Sequence, residues 1–150
     1  MYVFTGLDAL AAAAGQELGP TEWVEITQDR IDMFAGATDD HQWIHVDPER
    51  AACGPFGSTI AHGLLTLSLL PRFMHELYTV EAVTMAINYG FNKVRFVHPV
   101  PVGAKVRARC TIAEVTSVDT AVQATMVTTV EIEGGVKPAA VIESIVRYIG

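Results

Sequence analysis

The chain has 150 residues, half of them apolar, which is enough for one domain with a real core and too few for two of ordinary size. Its 10 Lys and Arg against 17 Asp and Glu leave a net charge of -7, which argues against a general nucleic-acid binder, because such a protein needs a basic face to displace counterions. Only two cysteines occur, Cys53 and Cys110, without CxxC spacing. That pattern speaks against a disulfide scaffold or a thiolate zinc site and points to a reducing cytosol.

At the N-terminus, Met1-Tyr2-Val3-Phe4 carries no basic residue, and the Ala-rich run Ala9 to Ala14 is flanked by Asp8 and Glu17. This reads as a short helix rather than a signal peptide. Trp23-Val24-Glu25-Ile26 alternates like a strand. Thr27 then caps a predicted helix over Gln28 to Ala37, with Asp29 in its first turn and Ile31, Phe34 and Ala35 facing inward. Gly36 to Asp40 ends that helix, and Asp47-Pro48 signals the cap and first position of the next. The segment Asp39 to Val46 is therefore expected as a polar loop between two short helices.

The breaker-rich stretch Gly54-Pro55-Phe56-Gly57-Ser58-Thr59 leads into Ile60 to Leu70, apolar on nearly every face and so expected as a helix surrounded by other elements. Leu64 to Leu70 is far short of the roughly 20 residues that span a bilayer, so a soluble protein without membrane attachment is expected. Beyond Val83 the period becomes two. Val83 to Asn88 and Lys93 to Val97 read as short strands. Val106, Ala108, Cys110 and Ile112 alternate with Lys105, Arg107, Arg109 and Thr111, the mark of an antiparallel strand with one wet face. Val122 to Ile132 repeats the pattern and Ala140 to Ile149 makes a third long strand, with turns at Ser117-Val118-Asp119 and Gly134-Gly135. The fold class is α+β: one domain over residues 1–150, a curved antiparallel sheet wrapped around a buried helix. Its edge strand favours a two-fold partner, hence a homodimer.

Chemistry concentrates in Thr38-Asp39-Asp40-His41-Gln42-Trp43-Ile44-His45-Val46-Asp47-Pro48. A turn brings Asp40 and His45 onto one water, and a carboxylate beside an imidazole keeps that imidazole's pKa near working pH. The bland alternatives are a carboxylate capping a backbone N–H and a core histidine. A third donor comes from Ala61-His62-Gly63, where free backbone N–H groups open a helix and Gly63 lets a carbonyl oxygen approach closely. A metal on His41 and His45, four residues apart with Asp40 and His62 nearby, wants a helix that this segment is not expected to form, so no metal site is predicted. Cys110 reads as packing, and Cys53 lacks an activating partner.

Asp40 to Ala51, followed by Ile60-Ala61-His62-Gly63-Leu64-Leu65, resembles the MaoC-like dehydratase and R-specific enoyl-CoA hydratase family. The segment Asn88 to Phe96 and Pro99-Val100-Pro101-Val102-Gly103 is also similar to it, so the resemblance covers most of the chain. It implies a hotdog fold, a sheet around one long central helix, and places the catalytic pair on Asp40 and His45 and the oxyanion N–H on Gly63. It further implies a lyase of fatty-acyl metabolism. Such an enzyme needs no cofactor and hydrates trans-2-enoyl-CoA, or the carrier-protein thioester, to the (R)-3-hydroxyacyl form. Hydration requires a base toward water, an acid toward C2 and a donor for the enolate oxygen.

Two departures bear on substrate binding. Many relatives have Asn-Pro where this chain has Gln42-Trp43, and some place a serine where it has Pro71, for which Ser68 is the nearest substitute. Of the positive strand positions Lys93, Arg95, Lys105, Arg107 and Arg109, Arg95 is the first candidate for the thioester's phosphate charge. Two other classes remain open: a hotdog thioesterase, separated by release of free thiol, and a non-catalytic acyl-thioester-binding subunit.

Overall fold

The structure, a computed structural model, describes residues 1–119 and 121–150. In chain order its elements are β1 (Tyr2–Phe4), α1 (Leu7–Ala12), β2 (Glu17–Leu18), β3 (Val24–Glu25), α2 (Gln28–Thr38), α3 (Trp43–Val46), α4 (Pro48–Ala52), α5 (Gly63–Ser68), α6 (Leu70–Leu77), β4 (Tyr78–Val80), β5 (Met85–Phe96), β6 (Lys105–Val118), β7 (Ala121–Ile132) and β8 (Ala140–Ile149). The main sheet runs β2-β6-β7-β8-β5, with β3 pairing β6 alongside β2, and β1 pairs β4 in parallel as a separate ribbon. All ladders of the main sheet are antiparallel.

The predicted alternation sets the inner face. Val106, Ala108, Cys110 and Ile112 of β6, Ala124, Met126, Thr128 and Val130 of β7, and Ala140, Ile142, Ser144, Val146 and Tyr148 of β8 are all buried. Against them lies α6, which buries Leu70, Phe73, Met74 and Leu77, a single stripe at helical spacing. Leu10, Ile31 and Leu18 close the core from the N-terminal side. Burial pushes the Cys110 thiol up to about 11, which leaves it a small hydrophobe, in line with its reading as packing.

Three expectations change. The two short strands read before and after Tyr89 are one strand, β5, with register shifts between Asn88 and Gly90 and between Phe91 and Lys93; the bulges interrupt the period-two pattern and hide its continuity. The long central helix is instead two helices meeting at Leu69. Pro71 explains the break, since it has no N–H for the Leu67 carbonyl and its ring crowds that carbonyl. Nor is the Ile60 to Leu70 stretch surrounded, because Leu64 and Ser68 are exposed. No helix among the described residues is long and apolar enough to cross a membrane.

Phe73 is fully buried between α6 and the sheet. Phe73→Ala leaves a cavity, and urea unfolding is expected to show a loss of about 3–5 kcal/mol; a loss below about 1 kcal/mol would remove α6 from the core.

Candidate active site

Capping chemistry places the site. Thr27 accepts from the Arg30 N–H and starts α2, and Asp39 ends it in the left-handed region at φ 59, where Asp is tolerated better than most residues. The chain then turns through Asp40, whose Oδ1 faces the Gln42 N–H at 3.4 Å. Beyond it the expected loop becomes helical over Trp43–Val46. Asp47 accepts from the Arg50 N–H and Pro48 opens α4, as its sequence signal predicts.

His45 is buried on α3. Its Nδ1–H donates to the Ile60 carbonyl at 2.7 Å, which leaves Nε2 with a lone pair. The Ile60 N–H donates back to the Ile44 carbonyl at 3.0 Å. Gln28 secures the other side: its Nε2 donates to the His45 carbonyl at 2.8 Å, and its Oε1 accepts from the Thr59 hydroxyl at 2.6 Å. Burial is the largest influence on His45 and holds its pKa below 6.5; the Ile60 bond opposes this, His62 adds to it and Asp40 opposes it weakly.

Asp40 stays half exposed while His62 is buried. The His62 Nε2–H donates to the Asp40 main-chain carbonyl at 3.0 Å and lies 4.0 Å from its carboxylate. The His62 ring stacks on His45, centroids 3.8 Å apart, with Phe34 on its other side at 4.9 Å. One oxygen of Asp40 and one nitrogen each of His45 and His62 fall within 4.8 Å of one another. Of the residues weighed from sequence for a metal, this set of three has metal-ligand geometry, and His41 lies outside it. Water-mediated proton transfer suits the same geometry, since one water reaches two groups at that separation.

His62 is followed directly by Gly63, whose N–H makes no hydrogen bond among the described residues. A Cβ on Gly63 would sit 2.7–2.9 Å from the Phe96 ring, so Gly is required for a steric reason as well. Asp40, His45 and the start of α5 are therefore brought together as expected.

Residues 9–134 match the family described as MaoC like domain. The chain belongs to that family. The MaoC-like chain is 60% identical over 150 residues to a protein named 3-hydroxyacyl-thioester dehydratase Z of Mycobacterium tuberculosis, covering 99% of each. It is 44% identical over 147 residues to a protein named Nodulation protein N of Rhizobium meliloti, covering 89% of this chain and 84% of that one. Among solved structures, the (R)-hydratase from A. caviae involved in PHA biosynthesis superposes with a TM-score of 0.72 at 25% identity, covering 89% of this chain and 94% of that one. The MaoC-like chain has the hotdog fold of these neighbours.

The sequence-predicted binding residues fare differently. Gln42 is exposed, and its main chain rather than its side chain is engaged, accepting from the His45 N–H at 2.9 Å. Trp43 packs on Gly54 and beneath the Arg50 guanidinium, 4.4 Å from the ring centre, so it braces α3 against α4. Ser68 donates to the Leu64 carbonyl at 2.7 Å, the local bond a helical serine favours. Arg95 pairs with Val141 on the face of the sheet away from the helices, between inward-facing Val94 and Phe96, and donates to the Val94 carbonyl; strand alternation removes it from the Asp40 cluster. Arg107 and Arg109 are paired with Glu131, and Lys105 with Glu133, so these positions form a solvated, charge-paired face.

In the sequence His62 enters only through its place beside Gly63 and near His41 and His45 as a metal ligand, not as a positioning residue; Gln28 and Thr59 carry no signal, Gln28 reading as an ordinary first-turn residue.

The lowered pKa of His45 has a consequence for stability. In the unfolded chain His45 takes its proton near 6.5, before the folded form does, so its contribution is present above 6.5 and is lost as pH falls through the folded value. The unfolding midpoint of the protein is expected to drop more steeply below pH 6.5 than that of His45→Gln; parallel pH profiles would show that His45 does not titrate between the two states.

Proposed function

We propose that this MaoC-like protein interconverts trans-2-enoyl and (R)-3-hydroxyacyl thioesters by reversible addition of water, with Asp40 and His45 as its acid–base pair. The observation that carries this reading is the separation of the two groups, one water wide, together with the fixed tautomer that leaves His45 Nε2 as an acceptor. A water held between the Asp40 carboxylate and His45 Nε2 loses a proton to Asp40 as its oxygen bonds to C3. The C2–C3 double bond then places its electron pair on the thioester oxygen, against the Gly63 N–H. Collapse of that enolate takes the proton back at C2. Both new bonds come from one water on one face, so the addition is syn. His62 is a positioning residue: its ring holds His45 and its N–H holds the Asp40 main chain.

No cofactor or metal enters this scheme; coenzyme A or a carrier protein serves as the substrate's handle. The reading is that of a cytosolic enzyme, supported by two thiols outside any disulfide.

Acid–base groups of this kind contribute about 10²–10⁴ each. Asp40→Asn and His45→Ala are each expected to cut crotonyl-CoA hydration by that order while folding is retained, and a chelator is expected to leave the wild-type rate unchanged. Near-normal hydration by Asp40→Asn overturns the assignment, and release of free thiol at a rate matching enoyl loss makes the protein a thioesterase. Binding of enoyl-CoA with no loss of enoyl absorbance makes it a non-catalytic subunit.

The assembly belongs to the same proposal. Among the described residues β5 pairs only β8 and its other edge is open, and it exposes Met85, Ile87, Tyr89 and Phe91. A second copy covers that edge by continuing the sheet across a two-fold axis. Sedimentation is expected to give about twice the 16.2 kDa chain mass, falling to the monomer in Met85→Asp/Ile87→Asp; a wild-type monomer overturns the homodimer.

A further inference from the structure

Two adjoining cavities, about 360 Å³ and 270 Å³, follow the helices away from Gly63. Leu70, Pro71, Asn88 and Ser144 line both. Leu67 of α5, Leu70 and Met74 of α6 and Tyr78 at the start of β4 follow one another along these cavities, and at about 1.5 Å rise per residue Ser68 lies roughly 7 Å past Gly63. A thioester carbonyl on the Gly63 N–H therefore directs its acyl chain into this groove; that step rests on the hydration reading above.

A groove built only for hydrocarbon would end in apolar side chains. This one ends on Tyr78 and Tyr148, whose hydroxyls meet at 2.6 Å and are both buried. One hydroxyl donates to the other, so one hydrogen remains, and neither hydroxyl forms another hydrogen bond among the described residues. Burial raises both tyrosine pKa values, so the pair keeps its protons and stays a donor. Ser144, 4% exposed, lines both cavities, and its hydroxyl makes no hydrogen bond among the described residues. The exposed Asn88 side chain, on the neighbouring strand β5, forms no hydrogen bond among the described residues and lies at the groove's rim. The spare hydrogen of the buried tyrosine pair and the Ser144 hydroxyl thus face the groove, where the distal part of an acyl chain arrives.

We propose that the far end of the groove binds an oxygen on the acyl chain, so that the preferred substrates are thioesters carrying a hydroxyl or keto group remote from the carbonyl. The Tyr78–Tyr148 pair donates its remaining hydrogen to that oxygen, and Ser144 and Asn88 supply further donors beside it.

The test is binding, which needs no turnover. Saturated medium- and long-chain acyl-CoA esters, each compared with its (ω−1)-hydroxy and (ω−1)-keto counterparts, are titrated calorimetrically into the wild-type protein and into Tyr78→Phe/Tyr148→Phe. The double variant removes both partners together and so strands neither buried hydroxyl. At some chain length the oxygenated ester is expected to bind about three- to tenfold more tightly, the worth of one net hydrogen bond, and in the double variant the ratio falls to about one. Equal or weaker binding of both oxygenated esters at every length overturns the proposal, since ordered water then satisfies the hydroxyls. A preference that survives in the double variant also overturns it. An oxygen preference without any enoyl hydration would instead overturn only the hydration reading.

Discussion

The hydrogen bond from His45 Nδ1–H to the Ile60 carbonyl organises the site. It fixes which nitrogen carries the proton, and with it which one is left as an acceptor. The bond holds only because Ile60 is itself held. Ile60 bridges Pro101, the Ala61 N–H donates to the Val100 carbonyl, and the Ile60 N–H returns to α3 through Ile44. The imidazole is thereby tied to the approach to β6, and through β6 to the whole sheet. Removing that support would leave His45 buried with an unsatisfied N–H, a cost of about 1–3 kcal/mol. The same burial that makes the bond necessary also lowers the ring's pKa.

The helices divide the work differently from a single rod. α5 begins at the reacting end, where Gly63 allows Phe96 to press against its backbone, and α6 supplies the apolar stripe that fills the sheet. Pro71 separates them. A continuous helix would bond Leu67 to residue 71; the proline forbids this and places its own ring in the groove wall. The position that ends one helix thus also shapes the space beside it.

Much of this was legible in the sequence, for identifiable reasons. β6, β7 and β8 each alternate cleanly because one face is buried and the other wet, and period two survives wherever the register is regular. β5 defeated the pattern because two bulges shift its phase. Asp40 and His45 stood out because charged residues crowd a short stretch of an apolar chain, and Gly63 because a glycine opens a helix. His62 did not, since its importance lies in a ring stack and a bond to residue 40, neither of which has a local signature. Arg95 was drawn in by its place in a family-like segment, yet the face a strand residue occupies depends on register, which spacing alone does not fix across bulges.

Trp43 shows how this chain stiffens the turn before His45 by packing. A proline at this position would fix φ and stiffen the turn, an effect worth about 0.4–1 kcal/mol through the unfolded state. Here Trp43 lies against Gly54, where an added Cβ would stand 3.0 Å from the indole, and under the Arg50 guanidinium. An exposed cation–π contact contributes about 0.5–1 kcal/mol, a comparable amount. The stiffness here resides in packing among three residues, with Asp47 capping the helix that carries Arg50. Gly54 therefore makes room for Trp43 in this turn, and a side chain introduced there would press on the indole and loosen His45 without touching it.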